Sequence, residues 1–252
     1  MTDAGRHATL ALVIAVTVIV VAFVAEPYPQ PVNYYNFADA RTLFGVPNFW
    51  NVASNALFLV VGLFGLWKVA RADLAILDAL RPATLVFFVG IVLTAFGSGW
   101  FHLSPDNATL FWDRLPMTIA FMSLFTIVIG EHVSERLASR LLWPLIVAGA
   151  ASVFYWDYTE SIRAGDLRFY AIVQFLPLLL IPLILFMYPS RFDRTGFLWA
   201  LLGAYAMSKA LELLDASVFM AGNMLSGHTL KHVVAAMAPL ILIQGMEKRR
   251  MK

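Results

Sequence analysis

Cysteine is absent from the 252 residues. That excludes a disulfide framework, a thiol nucleophile and any metal site built on thiolates, so a transition metal here has to be held by histidine and carboxylate. Charge is scarce too: only 13% of the residues are Asp, Glu, Lys or Arg. A formal net charge of +2 is nearly neutral and carries no argument for a nucleic-acid partner; where the positive charges sit matters more. No internal repeat, low-complexity tract or flexible linker interrupts the chain, and its length suits one helical bundle. What is present is apolar. Hydrophobic residues make up 60% of the chain, more than a soluble domain can cover.

The apolar residues fall in continuous runs rather than in the short alternating segments of a barrel. A spanning helix needs about 20 such residues. Eight runs qualify, at 8–25, 49–70, 82–103, 113–131, 141–157, 167–188, 195–214 and 228–245. The expected class is all-α, a polytopic membrane helix bundle. The longest connection, 26–48, is rich in Pro, Asn and Tyr and reads as an ordered interfacial loop. Basic residues favour the cytoplasmic side. Eight spans put twelve of them on one side, from Arg6 through Arg136 and Arg191 to Lys252, against Arg41, Arg163 and Arg168 on the other, with Arg114 at its edge. Both termini are therefore expected in the cytoplasm. Arg6 followed by an apolar run also has the pattern of a signal peptide. The run is long for one and Phe23 suits a cleavage at Ala25 poorly, which favours an uncleaved helix.

On this topology His102 closes the third span, His228 opens the eighth and His232 lies one turn deeper, so three histidines meet at one depth near the external face. His7 and His132 fall on the opposite side. In "GHTLKH" the i, i+4 spacing puts His228 and His232 on one helical face. Two imidazoles so placed can share an ion, and three protein ligands plus a water is the open coordination of a catalytic zinc. The plainer reading is an interfacial histidine at a helix end. Haem is a rival metal group, but its axial histidines normally come from facing helices, and its thioether attachment is excluded with cysteine.

Polar companions surround these positions. Ser98 shares a helical face with His102, four residues on; alone, it would read as a packing residue. Asp113 opens the fourth span at the same level, either as a functional acid or as a helix cap or first-turn acid. Pro116 then fits the first turn, Asp106 and Asn107 shape the turn before it, and Arg114 is placed to pair with a lipid phosphate or a loop carboxylate. Lys209, Glu212 and Asp215 recur at spacings of three in the seventh span, and Lys231 sits in the eighth. Unpaired, such charges are expensive in a membrane. The expectation is that Glu212 or Asp215 pairs with a lysine, or accepts from the second nitrogen of a metal-bound histidine.

Taken together, "GSGWFH", "WDRLPM" and "GHTLKH" resemble the alkaline ceramidase family, part of a superfamily of membrane hydrolases that includes the adiponectin and progestin receptors. "PNFWNVASN" at 47–55 resembles the start of that family's first core helix. The resemblance implies a seven-helix core over 31–252, with residues 1–30 as an added N-terminal transmembrane helix. It implies zinc held by His102, His228 and His232, Asp113 beside the zinc-bound water, and Ser98 beside the metal. The implied activity is zinc-dependent hydrolysis of the amide bond of a membrane lipid, ceramide by default or another N-acyl lipid. In animal ceramidases an acidic segment before the first core helix binds calcium. Here Asn48 stands where that pattern has an acid, and Glu26 and Asp39 are the only acids in the loop, so the calcium site is incomplete. Short loops suggest a prokaryotic member. Two rivals remain: a receptor-like or regulatory protein with a structural zinc, and a transporter, against which no inverted repeat is visible.

Overall fold

The computed structural model describes residues 2–252. It is helical, with two isolated β-bridges, Leu43 to Val46 and Phe192 to Met251. The helices are α1 (Asp3–Ile19), α2 (Phe49–Ala53), α3 (Ala56–Ala70), α4 (Arg81–Leu103), α5 (Asn107–His132), α6 (Glu135–Ser161), α7 (Arg168–Met187), α8 (Phe197–Leu213), α9 (Asp215–Gly222) and α10 (Gly227–Lys248). A π-turn, Val20–Val24, prolongs α1, and α2 and α3 together make one span. Seven helices are long and apolar enough to cross a membrane; α8 and α9 form an eighth if a pair bent by 75° counts as one span.

Side-chain caps fix several starts. Ser134 accepts from the Leu137 amide at α6, and Ser226 accepts from the Thr229 amide at α10. At α5, Asp106 accepts from the Thr109 amide while the Thr109 hydroxyl accepts from the Asp106 amide, a reciprocal box that satisfies two orphan donors.

The most buried span, α5, lies between α4, α6 and α7, while α10 lies against α3 and α8. The seam of α4 and α5 is backbone-close, for a reason both helices supply. Pro116 sits inside α5 and has no N–H, so the carbonyl of Trp112 lacks its helical donor. That carbonyl lies against Gly97 of α4, where a Cβ would overlap it. Glycine at 97 therefore brings Ser98 of α4 and Asp113 of α5 together. Gly97→Val is expected to destabilise the bundle by ~1–3 kcal/mol through overpacking. Gly99, with open space about its Cα, is the control. Thermal unfolding in detergent should separate the two variants, and equal melting would contradict the close seam.

Both termini lie at the end of the bundle opposite His102 and His228. Arg6 and His7 of α1 rest on Tyr188, and Met251 bridges to Phe192. Arg249 fastens that end from within. It donates to Glu131 at 2.6 and 2.7 Å and to the Ala75 carbonyl at 2.7 Å, stacked 3.8 Å from the Phe192 ring.

Several expectations need correction. The fourth span starts at Asn107, not 113, so Asp106 is the cap, Asp113 lies inside the helix, and Pro116 is an interior residue. The cap and first-turn reading of Asp113 therefore falls. The seventh span breaks after Leu213, and Asp215 turns away with α9, off the face that carries Lys209 and Glu212. Arg114 has no carboxylate partner among the described residues. It is buried, donates to Gln30 Oε1 at 2.6 Å, and is boxed by the rings of Trp156 and Tyr170.

Candidate metal centre and hydrolytic site

Two helices bring the histidines together. His102 comes from the last turn of α4, and His228 and His232 from the first turns of α10. One ring nitrogen from each lies within 4.8 Å of the others, and all three residues are buried. The Nε2 atoms of His102 and His228 face each other at 3.4 Å. Two ligands about 2.05 Å from a tetrahedral ion would stand ~3.3 Å apart, so this pair already has a zinc-like spacing. Facing imidazole lone pairs need a proton or a cation between them, and a donor set of three neutral imidazoles suits a divalent transition metal, zinc among them.

The surroundings orient these rings. Ser54, at the break between α2 and α3, lies 2.8 Å from Nδ1 of His232, which leaves Nε2 for an ion. Asn48 donates to the His102 carbonyl at 2.9 Å. Asn51 accepts from the Thr229 hydroxyl at 2.7 Å, tying α2 to the first turn of α10. Asp215 accepts from the His228 amide at 2.7 Å and from the Ala38 amide at 2.9 Å, so it joins α10 to the long loop. Gly227 packs against α9 so closely that a Cβ would meet the backbone of Leu211 and Asp215.

The loop over residues 25–48 is folded across the site. Phe37 meets the rings of His102 and His228 edge to face, with centroids 4.7 Å from each. Gln30 N–H donates to Glu160 Oε1 at 2.6 Å. Asp39 is gripped by Arg41 through two bonds of 2.7 Å, and that guanidinium holds its carboxyl below the usual range. Tyr34, part of this loop, has its phenol pushed up by burial.

Beside the histidines a cavity of about 240 Å³ runs into the bundle. Ser98, Asp113, Lys209, Glu212, Lys231 and His232 line one part of it. Its deeper wall is apolar, with Phe87, Ile91, Leu124, Leu201 and Pro239. Helices α7 and α8 do not pack closely beside it. They are bridged there by Gln174, which donates to the Tyr205 hydroxyl at 2.8 Å.

All five residues singled out in the sequence thus gather at one end of the bundle: the three histidines with one another, and Ser98 and Asp113 with His232 around the cavity. Glu212 pairs with lysine as expected, and with two of them, Lys209 and Lys231. The alternative, a carboxylate on a second histidine nitrogen, is not seen among the described residues; a hydroxyl, Ser54, takes that position at His232. The signal for Ser54 was available. Asn48, Asn51 and Ser54 recur every three residues in an otherwise apolar span, which marks a polar face.

Ser54→Ala leaves His232 free to rotate. Metal affinity should fall about 10- to 100-fold, the usual effect of losing a ligand's outer partner. Competition with a calibrated chelator reads this directly, and unchanged affinity would show that Ser54 does not orient the ring.

A search of curated proteins finds no significant match. A family model described as Ceramidase matches residues 44–192, more than half of the chain. The matched stretch contains Ser98, His102 and Asp113 and stops before His228 and His232, which the fold brings back to the same place. The chain belongs to the ceramidase family.

Proposed function

We propose that the protein is a zinc-dependent membrane hydrolase that cleaves the amide bond of a lipid such as ceramide, giving a fatty acid and an amine. The observation that carries this reading is the meeting of three buried imidazoles with Ser98 and Asp113 at the head of an apolar cavity. His102, His228 and His232 would hold the ion. Bound there, zinc supplies a Lewis acid and makes a water acidic enough to attack near neutral pH.

The chain's own groups perform the remaining tasks. Asp113 takes a proton from the attacking water and delivers it to the departing nitrogen. Ser98 donates to the carbonyl oxygen as negative charge gathers on it, worth ~3 kcal/mol for one well-placed donor. The apolar wall of Phe87, Ile91 and Leu201 receives an acyl chain, and the loosely packed α7–α8 side admits it from the bilayer. The Phe37 ring over His102 and His228 keeps bulk water off those two ligands. With the basic residues and both termini at one end, the site faces the external side.

A second reading, a receptor-like protein with a structural zinc, draws on the same Phe37 cover, since a closed metal site needs no access. Purified protein incubated with ceramide and simpler N-acyl lipids decides between them. Release of fatty acid that stops on chelation and resumes with zinc supports the hydrolase; stoichiometric zinc with no turnover of any lipid amide supports the receptor.

A further inference from the structure

The polar part of the cavity carries more cations than anions. Arg114, Lys209 and Lys231 line it, against Asp113 and Glu212. Glu212 serves both lysines at once: Oε2 accepts from Lys209 Nζ at 2.5 Å and Oε1 from Lys231 Nζ at 2.6 Å. Each ammonium has three donors, and Glu212 takes one from each. Arg114 has no carboxylate partner among the described residues. One terminal nitrogen reaches the Gln30 amide, while Nη1 is buried without any partner. The aromatic box around it attracts a cation but does not neutralise it. An unbalanced positive charge between membrane helices is costly, and an anion within the cavity relieves it.

We infer that the cavity receives an acyl lipid amide whose head group bears an anionic oxygen group, docked by Lys209 and Lys231 at the polar end while the acyl chain occupies the apolar wall. A neutral head group, ceramide's included, leaves the excess cation to water in the cavity, so an anionic amide is the tighter-bound member of the same class of lipid amides. An N-acyl amino acid carries such a carboxylate on the amine side of the amide. Its hydrolysis balances with water alone: the C–N bond breaks, the acyl carbon gains the hydroxyl, and the nitrogen gains the proton. This inference rests on the reading of the cavity as a lipid amide site.

The test compares N-palmitoylglycine with N-palmitoylethanolamine, which share the chain and the amide but differ in head-group charge. Binding is measured on metal-stripped protein in detergent, so hydrolysis plays no part. The expected result is a preference of about tenfold or more in Kd for the carboxylate lipid. Lys209→Gln leaves Glu212 and Lys231 as a one-to-one pair, so the fold should be kept; the preference should fall to about twofold or less, and Lys209→Arg should restore it. Palmitate alone is the third ligand. Weaker binding than N-palmitoylglycine places the anion site at the head group; equal binding, equally lost in Lys209→Gln, assigns the lysines to the fatty-acid carboxylate and overturns the head-group inference. Equal affinity for the two amides in the unaltered protein also overturns it. If the preference holds while the zinc-loaded protein cleaves neither amide, the anion site stands and the hydrolase reading alone fails.

Discussion

His232→Ala is expected to lower bound zinc from about one ion per chain to near none and to abolish lipid amide hydrolysis. Three imidazoles form the smallest set that holds zinc while leaving a position open. No carboxylate joins the three histidines as a spare ligand in the cluster the fold brings together. The remaining pair, His102 and His228, would bind an ion weakly, and the Ser54 hydroxyl would lose its partner. Elemental analysis of the purified variant beside the unaltered protein reads the first effect, and fatty-acid release reads the second. Near-full zinc in a well-folded His232→Ala protein would break the three-histidine assignment. His228→Ala should behave the same way, because its Nε2 faces that of His102.

Asp113→Asn should separate binding from chemistry. The amide keeps the shape of the side chain but cannot take up a proton near neutral pH. Asp113 lies outside the histidine cluster, so zinc content should not change. Turnover should fall by ~10²- to 10⁴-fold, the range for losing a positioned acid–base group. The fall should appear in kcat more than in KM, since the cavity that holds the acyl chain is untouched. Full turnover in Asp113→Asn would remove the residue from the proton path. Loss of zinc along with activity would mean that it acts on the metal site instead. Ser98→Ala gives a useful third comparison, because it alters the neighbouring wall of the cavity without changing charge.

Much of this could be read from the sequence, and the reason is the solvent. In a bilayer every backbone polar group must be satisfied within its own helix, so long apolar runs leave few alternatives to a helical bundle. The runs around 82–103 and 228–245 therefore predict α4 and α10 closely. Spacing does the same for chemistry. His228 and His232 share a face wherever α10 is placed, and Ser98 shares one with His102 on α4. The polar stretch between α4 and α5 was visible as an anomaly, because charge is rare in such a chain.

Only the tertiary structure decided how those faces meet. A start for α5 at Asp113 takes the charged Asp113–Arg114 pair as the helix boundary, while the helix is begun earlier by the Asp106–Thr109 box, a local hydrogen-bond pattern that hydropathy does not register. The break after Leu213 was hidden for a similar reason: α8 and α9 are both apolar, and composition carries no record of a 75° bend. Arg114 reads from the sequence as a partner for a lipid phosphate or a loop carboxylate; Trp156 and Tyr170, far along the chain, enclose it. Most of the spans, and the shared faces of Ser98 with His102 and of His228 with His232, are legible from the residues alone, because they follow from local periodicity and from a solvent without hydrogen bonds. The meeting of His102 with His228, the hydroxyl behind His232 and the cation excess of the cavity depend on contacts between distant segments. Those are set by close backbone approach at Gly97 and Gly227 and by side-chain packing, and no local pattern encodes them.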